Sequence, residues 1–559
     1  MSSVLLLSYK DALRQSREYL RYRTAPAATQ DRSHTVGRAE RSGRTFLHLE
    51  RPLAFASRLA LARRCTSVAA ALAGRAVKLA PRSVAANLAA GIAFRRSGDR
   101  PRALHRLQCA AEADDVRRLG NWELAKLLLE LERSDTPEAY SSRRRERISA
   151  LRLASGSVDP VIAQKARVAL AEALHDSGHS SEALRIIGPV LEDAPNDLRA
   201  LRVASLSMAA QNRIQEACAF YRQLIALDSR HPVTKSLRAL DLFCTGEERE
   251  PSEAPGPASW LIAIGGGIGD ILHCTPAIAN IARHTKQRPD VLVAGDHPGA
   301  EFLVQNPEYV NRVWTLGRGV LQQAYRNVFV THSFGPLRLA FNAEQVKNAR
   351  DWQHFHAGGL HETLFNLEAA KALLGIPYDE ADAAIYFAGN LERREPDTQL
   401  VGLHAGSKGG RWLSKRWPYF GELTRKLRSR GVRVASFGTP DEYVPGTENL
   451  TGGTIEEMCR ALSGCTLFVS NDSGAMHLAS ALGIRAVAIF APTDALTHMP
   501  LTETVAALTL QKDCSPCEVK NHAFFASGRC ACVGEIPVEA AEGIILSLLS
   551  ADEADRGIA

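Results

Sequence analysis

Residues 465–492 read CTLFVSNDSGAMHLASALGIRAVAIFAP, and their alternation sets the architecture of the C-terminal half. Thr466 to Val469 is a short β-prone run, Asn471-Asp472-Ser473-Gly474 a polar turn, and Ala475 to Leu482 a strong helix former stopped by Gly483. Arg485 to Phe490 then opens another buried strand. A helix that starts at the carboxyl end of a strand presents free N–H groups and a positive dipole end, which favour an anion such as phosphate. Open α/β sheets place their ligands there. The same residues also suit an ordinary turn in which Asp472 or Ser473 merely caps the helix.

Working outward, the same strand–turn–helix rhythm recurs. LVGLHAG from Leu400, a helical WPYFGELTRKLRSRG and the strand VRVASFG build one α/β unit, residues 396–550, with a short tail at 551–559. A matching unit spans 258–395: Ser259 to Ile264 is a strand, Gly265 to Asp270 a glycine turn, Leu272 to His284 a helix and Val291 to Ala294 a second strand. Two such units of similar size imply two doubly wound domains facing one another. The Pro/Glu/Ser-rich stretch 246–257 marks the boundary before them.

Residues 54–245 have a different texture, rich in Ala, Leu and Arg with almost no strand signal. Two segments repeat, Ala166 to Asp197 and Arg199 to Pro232; Ala183 pairs with Ala217 and Leu191 with Ile225, each 34 apart. That period, with a small residue at the helix contact, is the mark of tetratricopeptide repeats, stacked helical hairpins that bind peptides or partner subunits. An earlier unit carries Ser97-Gly98-Asp99 and Ala103, and an irregular helical insert containing Arg143-Arg144-Arg145, expected as a solvated face, separates the two.

Residues 1–53 are expected to be a basic, poorly ordered leader. Met1 to Arg64 holds 13 Lys and Arg against 5 Asp and Glu, a surplus of +8, so the rest of the chain, whose total is +7, is close to neutral. The 6% aromatic content and the absence of interleaved aromatic-basic runs argue against a nucleic-acid platform. No apolar run approaches the roughly 20 residues of a membrane span, and a cytoplasmic protein with at most peripheral contact at the inner membrane is expected. Seven of the 11 cysteines are isolated (Cys65, Cys109, Cys218, Cys244, Cys274, Cys459, Cys465). Cys514-x2-Cys517 and Cys530-x-Cys532 cluster, with the residue types and spacing of a structural zinc or iron site; unligated thiols and a labile disulfide are the alternatives.

Three loops carry the remaining chemistry. GGGIGDILHCTPAI (Gly265 to Ile278) lacks G-x-G-x-x-G spacing, which counts against a dinucleotide oxidoreductase. It instead sets Asp270 at the head of a helix, where a carboxylate either deprotonates an acceptor hydroxyl or caps the turn. LHAGSKGGRWLSKRWPYF (Leu403 to Phe420) brings Lys408, Arg411, Lys415 and Arg416 beside Trp412 and Trp417, a loop able to grip a diphosphate. FGTPDE (Phe437 to Glu442) places Asp441 and Glu442 after a strand, where a carboxylate either accepts from ribose hydroxyls or simply caps a turn.

Taken in order, GGGIGDILHxTPAI, NPxxVxxV (Asn306 to Val313), HAGS…SKRWP, FGxPxE and VSNDSGxxHLAxALG resemble glycosyltransferase family 9, the ADP-heptose heptosyltransferases of lipopolysaccharide assembly. The resemblance covers Ser259 to about Leu549. It implies a GT-B fold, here behind a tetratricopeptide-like solenoid, and inverting transfer with no metal needed for catalysis. It implies Asp270 as general base, Gly406, Ser407 and Lys415 around the donor phosphates, and Glu442 at the ribose. Asp472, Ser473, Gly474 and His477 would hold sugar and diphosphate. Some relatives that modify autotransporter proteins bind iron through cysteines placed like Cys514, Cys517, Cys530 and Cys532. The expected substrates are a nucleotide sugar, ADP-heptose, and a glycan or protein acceptor, with a protein partner on the repeats. The solenoid departs from lipopolysaccharide heptosyltransferases and raises the case for a protein acceptor. A UDP- or GDP-sugar donor, or a non-catalytic adaptor with a vestigial transferase half, are the competing expectations.

Overall fold

The structure, a computed structural model, describes residues 3–24, 50–63, 65–113, 117–132, 137–228, 240, 256–295, 297–353, 359–385, 399–512, 514–520, 525 and 527–557. The linker expected at 246–257 falls outside these apart from its last two residues, as do His354 and His356. The chain forms two compact units, Tyr22–Leu227 and the pair Met1–Arg21 with Asp228–Ala559.

The first unit is helical. Among the described residues, ten helices from Glu50–Ala62 to Ile214–Leu227 pack as successive hairpins. The 34-residue repeat appears as the hairpins Pro160–Asp176/Ser180–Asp193 and Leu198–Ala209/Ile214–Leu227. Ala183 and Ala217 are fully buried at their contacts, as the small residue there requires. The turns between paired helices need a left-handed residue: Gly98 and Gly178 supply it at φ +83°, and Asn212 does so at +59°. The insert is itself a hairpin, Leu119–Glu132 and Pro137–Ser155. The Arg143–Arg145 run is not wholly solvated: Arg144 stacks on Tyr140 at 4.3 Å and donates to the Asp176 carbonyl. Cys218, expected as an isolated thiol, is disulfide-bonded; no short cysteine spacing in the sequence signals it.

The second unit contains two Rossmann-like lobes, the expected GT-B arrangement. Strands β2 (Trp260–Gly266), β3 (Asp290–Gly295), β4 (Val313–Thr315), β5 (Tyr325–Val330) and β6 (Ala343–Asn348) form a parallel sheet ordered β4-β3-β2-β5-β6. Strands β7 (Leu400–His404), β8 (Arg433–Ser436), β9 (Glu448–Asn449), β10 (Leu467–Asn471), β11 (Arg485–Ile489) and β12 (Val505–Gln511) form the other. The central strands β2, β10 and β11 are apolar and buried on both faces, as helix-covered parallel sheets demand. One apolar core runs from Ile262, Phe329 and Phe365 to Phe437, Phe468 and Met499, so the two lobes share it. A second fills the far face of the C-terminal sheet, around Leu403, Trp417, Val469 and Phe525.

Two expectations about the ends are corrected. Residues 3–24 are folded: β1 (Ser3–Ser8) pairs antiparallel with β12, from Ser3 opposite Gln511 to Ser8 opposite Ala506. The helix Tyr9–Thr24 then crosses to the N-terminal lobe, where Ala12 is buried, Gln15 donates to the Gly359 carbonyl and Arg17 pairs with Glu380. The basic charge count masked a six-residue β-prone run, SVLLLS, and an amphipathic helix. At the other end the helix Val538–Gly557 runs through most of the expected tail.

The helix expected from Leu272 to His284 is split. Ile268–Leu272 is a short helix of its own, and Thr275–Thr285 begins afresh because Pro276 suits a first turn but not a helix interior. This break aims the Asp270 turn at the other lobe.

Candidate active site

The glycine turn after β2 carries Asp270 as the third residue of its short helix. Its Oδ2 accepts from the Gly267 N–H at 2.5 Å and lies 3.9 Å from Lys408 Nζ of the opposite lobe. Asp270 therefore caps its turn, one of the two expected roles, and also looks into the cleft, with 40% of its side chain accessible. Desolvation by the cleft walls, then the Glu362 charge, raise its pKa above the ordinary carboxylate value; Lys408 and the Gly267 N–H oppose them.

Contact across the cleft is immediate. A Cβ on Gly474 would lie 2.7 Å from Ile268 Cβ, and one on Gly269 would lie 2.8 Å from His477 Cδ2. Asp270 is thus one residue away from the surface touching His477. Replacing Gly269 by Ala is expected to wedge the lobes and destabilise the protein by about 1–3 kcal/mol, measurable as a lowered thermal midpoint.

On the C-terminal lobe, Asp472 ends the turn after β10, and the helix Gly474–Ala481 follows. Neither Asp472 nor Ser473 caps that helix. The Asp472 carboxylate pairs with the Lys415 ammonium and accepts from Thr493 Oγ1 at 2.5 Å. Ser473 Oγ bonds His404 Nδ1 at 3.1 Å. Among the described residues the helix's first turn has no side-chain cap, which leaves its N–H groups to an anion. His477, on this helix, is buried, and among the described residues its Nδ1 has no hydrogen-bond partner. Burial above all holds its pKa down to about 3, so the ring is neutral.

The basic loop after β7 folds over this helix end. Lys415 reaches Asp472 with its ammonium 4.5 Å from the Trp412 ring centroid. Ser407 Oγ donates to the Trp412 carbonyl at 2.9 Å, so its hydroxyl serves the loop's own fold in this conformation. Gly406 is needed sterically, since a Cβ there would overlap the Glu442 carboxylate. Burial pushes the Glu442 pKa up, but His404 and Thr439 prevail and bring it to about 2. His404 Nε2 lies 3.3 Å from Glu442 Oε2 and Arg416 3.3 Å from Oε1.

Two positioning residues went unassigned in the sequence. His404 joins Ser473 to Glu442, and Asn471 staples the loops: it donates to the Ala405 and Gly406 carbonyls at 2.9 and 3.0 Å and accepts from Trp417 N at 2.9 Å. Both stand at strand ends inside quoted motifs, the one signal that could have found them.

The cysteine segment packs against the same basic loop, with Phe525 edge-on to Trp412 at 5.2 Å. Cys517 Sγ is 3.6 Å from Cys530 Sγ, itself 3.2 Å from Cys532 Sγ. Tetrahedral thiolate zinc, with Zn–S near 2.3 Å, needs sulfurs about 3.8 Å apart, so these three are nearly at ligand spacing. Cys514 is exposed at the rim. As they stand, the described residues do not close a ligand shell around one point.

Residues 349–525 match the family described as Glycosyltransferase family 9 (heptosyltransferase). The chain is similar to the lipopolysaccharide heptosyltransferase 2 of Salmonella typhimurium, 31% identical over 128 residues, which are 20% of this chain and 36% of that protein. It is also similar to the lipooligosaccharide heptosyltransferase 2 of Campylobacter jejuni, 23% identical over 288 residues, 45% of this chain and 87% of that one. Among solved structures it is similar to the E. coli ADP-heptose lps heptosyltransferase II, with a TM-score of 0.40 and 16% identity, covering 53% of this chain and 99% of that one. The chain thus spans about a third of the length of the Salmonella relative and most of the Campylobacter one. The family match thus lies within the second compact unit, over residues 349–525, the segment that holds Lys415, Glu442, Asp472, Ser473 and His477.

Proposed function

We propose that this chain is an inverting glycosyltransferase that moves heptose from ADP-heptose to a hydroxyl of a lipopolysaccharide-type glycan or of a protein. The observation that carries the reading is the opposition, across one cleft, of Asp270 and the Lys415–Asp472–His477 group at an uncapped helix end. The family match and the names of the relatives support the sugar and the saccharide acceptor. Asp270 takes the proton of the acceptor hydroxyl as its oxygen bonds to the anomeric carbon. The bond from that carbon to the diphosphate breaks on the opposite face, and its electron pair leaves with the diphosphate. Lys415 and the helix N–H groups stabilise the departing charge. Gly406 and Ser407 border the phosphates and Glu442 the ribose; Asp472, Ser473, Gly474 and His477 border the sugar. This chemistry requires neither a protein nucleophile nor a catalytic metal.

The helical unit is proposed to hold a protein partner or protein acceptor. The protein is proposed to work in the cytoplasm, with at most peripheral contact at the inner membrane; among the described residues no helix is long and apolar enough to cross a membrane. Incubating the full chain with ADP-heptose, and separately with UDP- and GDP-sugars, beside glycan and protein acceptors tests the reading by intact mass. The expected result is an acceptor heavier by one heptose, with ADP released. Transfer from another nucleotide sugar alone would overturn the donor, and nucleotide binding without any transfer would leave the adaptor.

The cysteine segment is proposed to hold one structural zinc or iron ion through Cys514, Cys517, Cys530 and Cys532, after Cys514 turns inward. Elemental analysis of the purified chain should then show about one equivalent of metal, tightly held as in cysteine sites generally. Cys517→Ser should remove the metal and lower the thermal midpoint. Metal-free wild-type protein of unchanged stability would end this reading.

A further inference from the structure

Behind the cleft lies a buried set of histidines and carboxylates that the transfer chemistry does not use. Glu362, the first residue of the helix Glu362–Leu374 in the N-terminal lobe, is its hub. Its Oε1 is 2.9 Å from His332 Nε2, and its Oε2 is 3.9 Å from His273 Nε2 and 3.5 Å from His498 Nδ1. His498 belongs to the C-terminal lobe, where its Nε2 lies 3.2 Å from Glu518. His273 immediately follows the Asp270 helix; its Nδ1 bonds Thr363 Oγ1 at 2.8 Å and its ring meets His477 edge-on at 4.4 Å. A second tie beside it joins His361 Nε2 to the Met499 carbonyl at 2.6 Å.

We propose that Glu362 and His498 form an ionic latch between the lobes, and that Glu362 is a positioning residue holding the Asp270 helix in register with His477. The inference rests on the transferase reading above. A buried ion pair adds little stability compared with an apolar contact of the same volume, so stability alone does not account for it. What it adds is reversibility. Each partner keeps a hydrogen-bonding group on its own lobe, Glu362 in His332 at 2.9 Å and His498 in Glu518 at 3.2 Å. The lobes can therefore part without leaving either charge bare, which an apolar contact would not permit cheaply in water. Both groups are ionised at neutral pH. Burial pushes Glu362 up, but the surrounding imidazoles, with hydrogen bonds from His332 and His498, hold it well below the carboxylate range. Burial pushes His498 down, but Glu518 and Glu362 hold it well above the usual imidazole value. Closure thereby brings Glu362, His273 and the Asp270 helix onto His477 and His498 as one packed group.

The test compares Glu362→Gln, His498→Gln and the double variant with wild type in the full chain. Four quantities are read: kcat for transfer, Kd for ADP, thermal midpoint, and amide exchange of residues 268–285 with ADP bound. Glu362→Gln should lower kcat about 10- to 100-fold, the scale of a small misplacement of reacting groups. ADP affinity should stay within about twofold, because among the described residues the one ion pair Glu362 makes with the C-terminal lobe is to His498 and not to the Lys415–Asp472 group. Exchange at 268–285 should quicken in both single variants and no further in the double. Unchanged kcat and exchange in Glu362→Gln would overturn the latch; so would parallel losses of kcat, ADP affinity and thermal midpoint, the pattern of a merely structural residue. Should wild type transfer no sugar, the transferase reading fails, while the exchange comparison still decides whether the latch exists.

Discussion

Asp270→Asn is expected to lower the rate of sugar transfer by about 10²- to 10⁴-fold, the usual range for losing a positioned general base. The amide keeps the carboxylate's shape and still accepts from the Gly267 N–H, so the turn it caps should survive. ADP affinity should change little, because the residues proposed to hold the donor lie on the other lobe. Wild-type kcat/KM should fall as pH drops through the Asp270 pKa. Desolvation, with the Glu362 charge second, raises that value, so the acid limb should lie above the ordinary carboxylate range. In Asp270→Asn this limb should vanish with the activity. A variant that turns over like wild type, with the acid limb intact, would remove Asp270 as the base.

Why the loops that carry Asp270 and Asp472 were legible while the partners of these residues were not follows from how each signal is written in the chain. The strand–turn–helix around Asp472 depends on local rules: a β-prone run, turn residues, then helix formers stopped by Gly483 at φ +71°. Such rules work within a dozen residues, and the elements fell within a residue or two of their expected bounds. The 34-residue period is likewise a local pattern repeated. By contrast, the partners of Asp472 are Lys415 and Thr493, and those of Glu362 come from positions 273, 332 and 498. No periodicity links residues so far apart; the fold alone brings them together. The same holds for β1, whose role as an edge strand exists only because β12, some 500 residues later, offers it a hydrogen-bonding edge. Asp472 and Ser473 misled for a subtler reason. Cap-forming residue types stood at the cap position, yet long-range partners, Lys415 and His404, took their side chains instead. A helix left uncapped by residues well able to cap it is itself a pointer to an anion.

The Lys415–Asp472 pair gives the second large effect, and stability and catalysis can be separated in it. Both side chains are largely buried, at 13% and 7% exposure, and Thr493 Oγ1 is the one other hydrogen bond to the Asp472 carboxylate among the described residues. Lys415→Met removes the cation and leaves that carboxylate buried beside a hydroxyl. Breaking such a pair from one side costs about 3–5 kcal/mol, which should appear as a thermal midpoint several degrees lower. Turnover should fall about 10²- to 10³-fold as well, the scale of losing one electrostatic contact to a departing charge. The two losses respond differently to a second change. Adding Asp472→Asn to Lys415→Met removes the uncompensated charge, so the midpoint should recover most of its fall. Activity should not recover, since the ammonium proposed to meet the leaving diphosphate is still missing. If the double variant regained turnover together with stability, Lys415 would be a structural counter-ion for Asp472, and the cation that meets the leaving group would have to be Lys408 or Arg416.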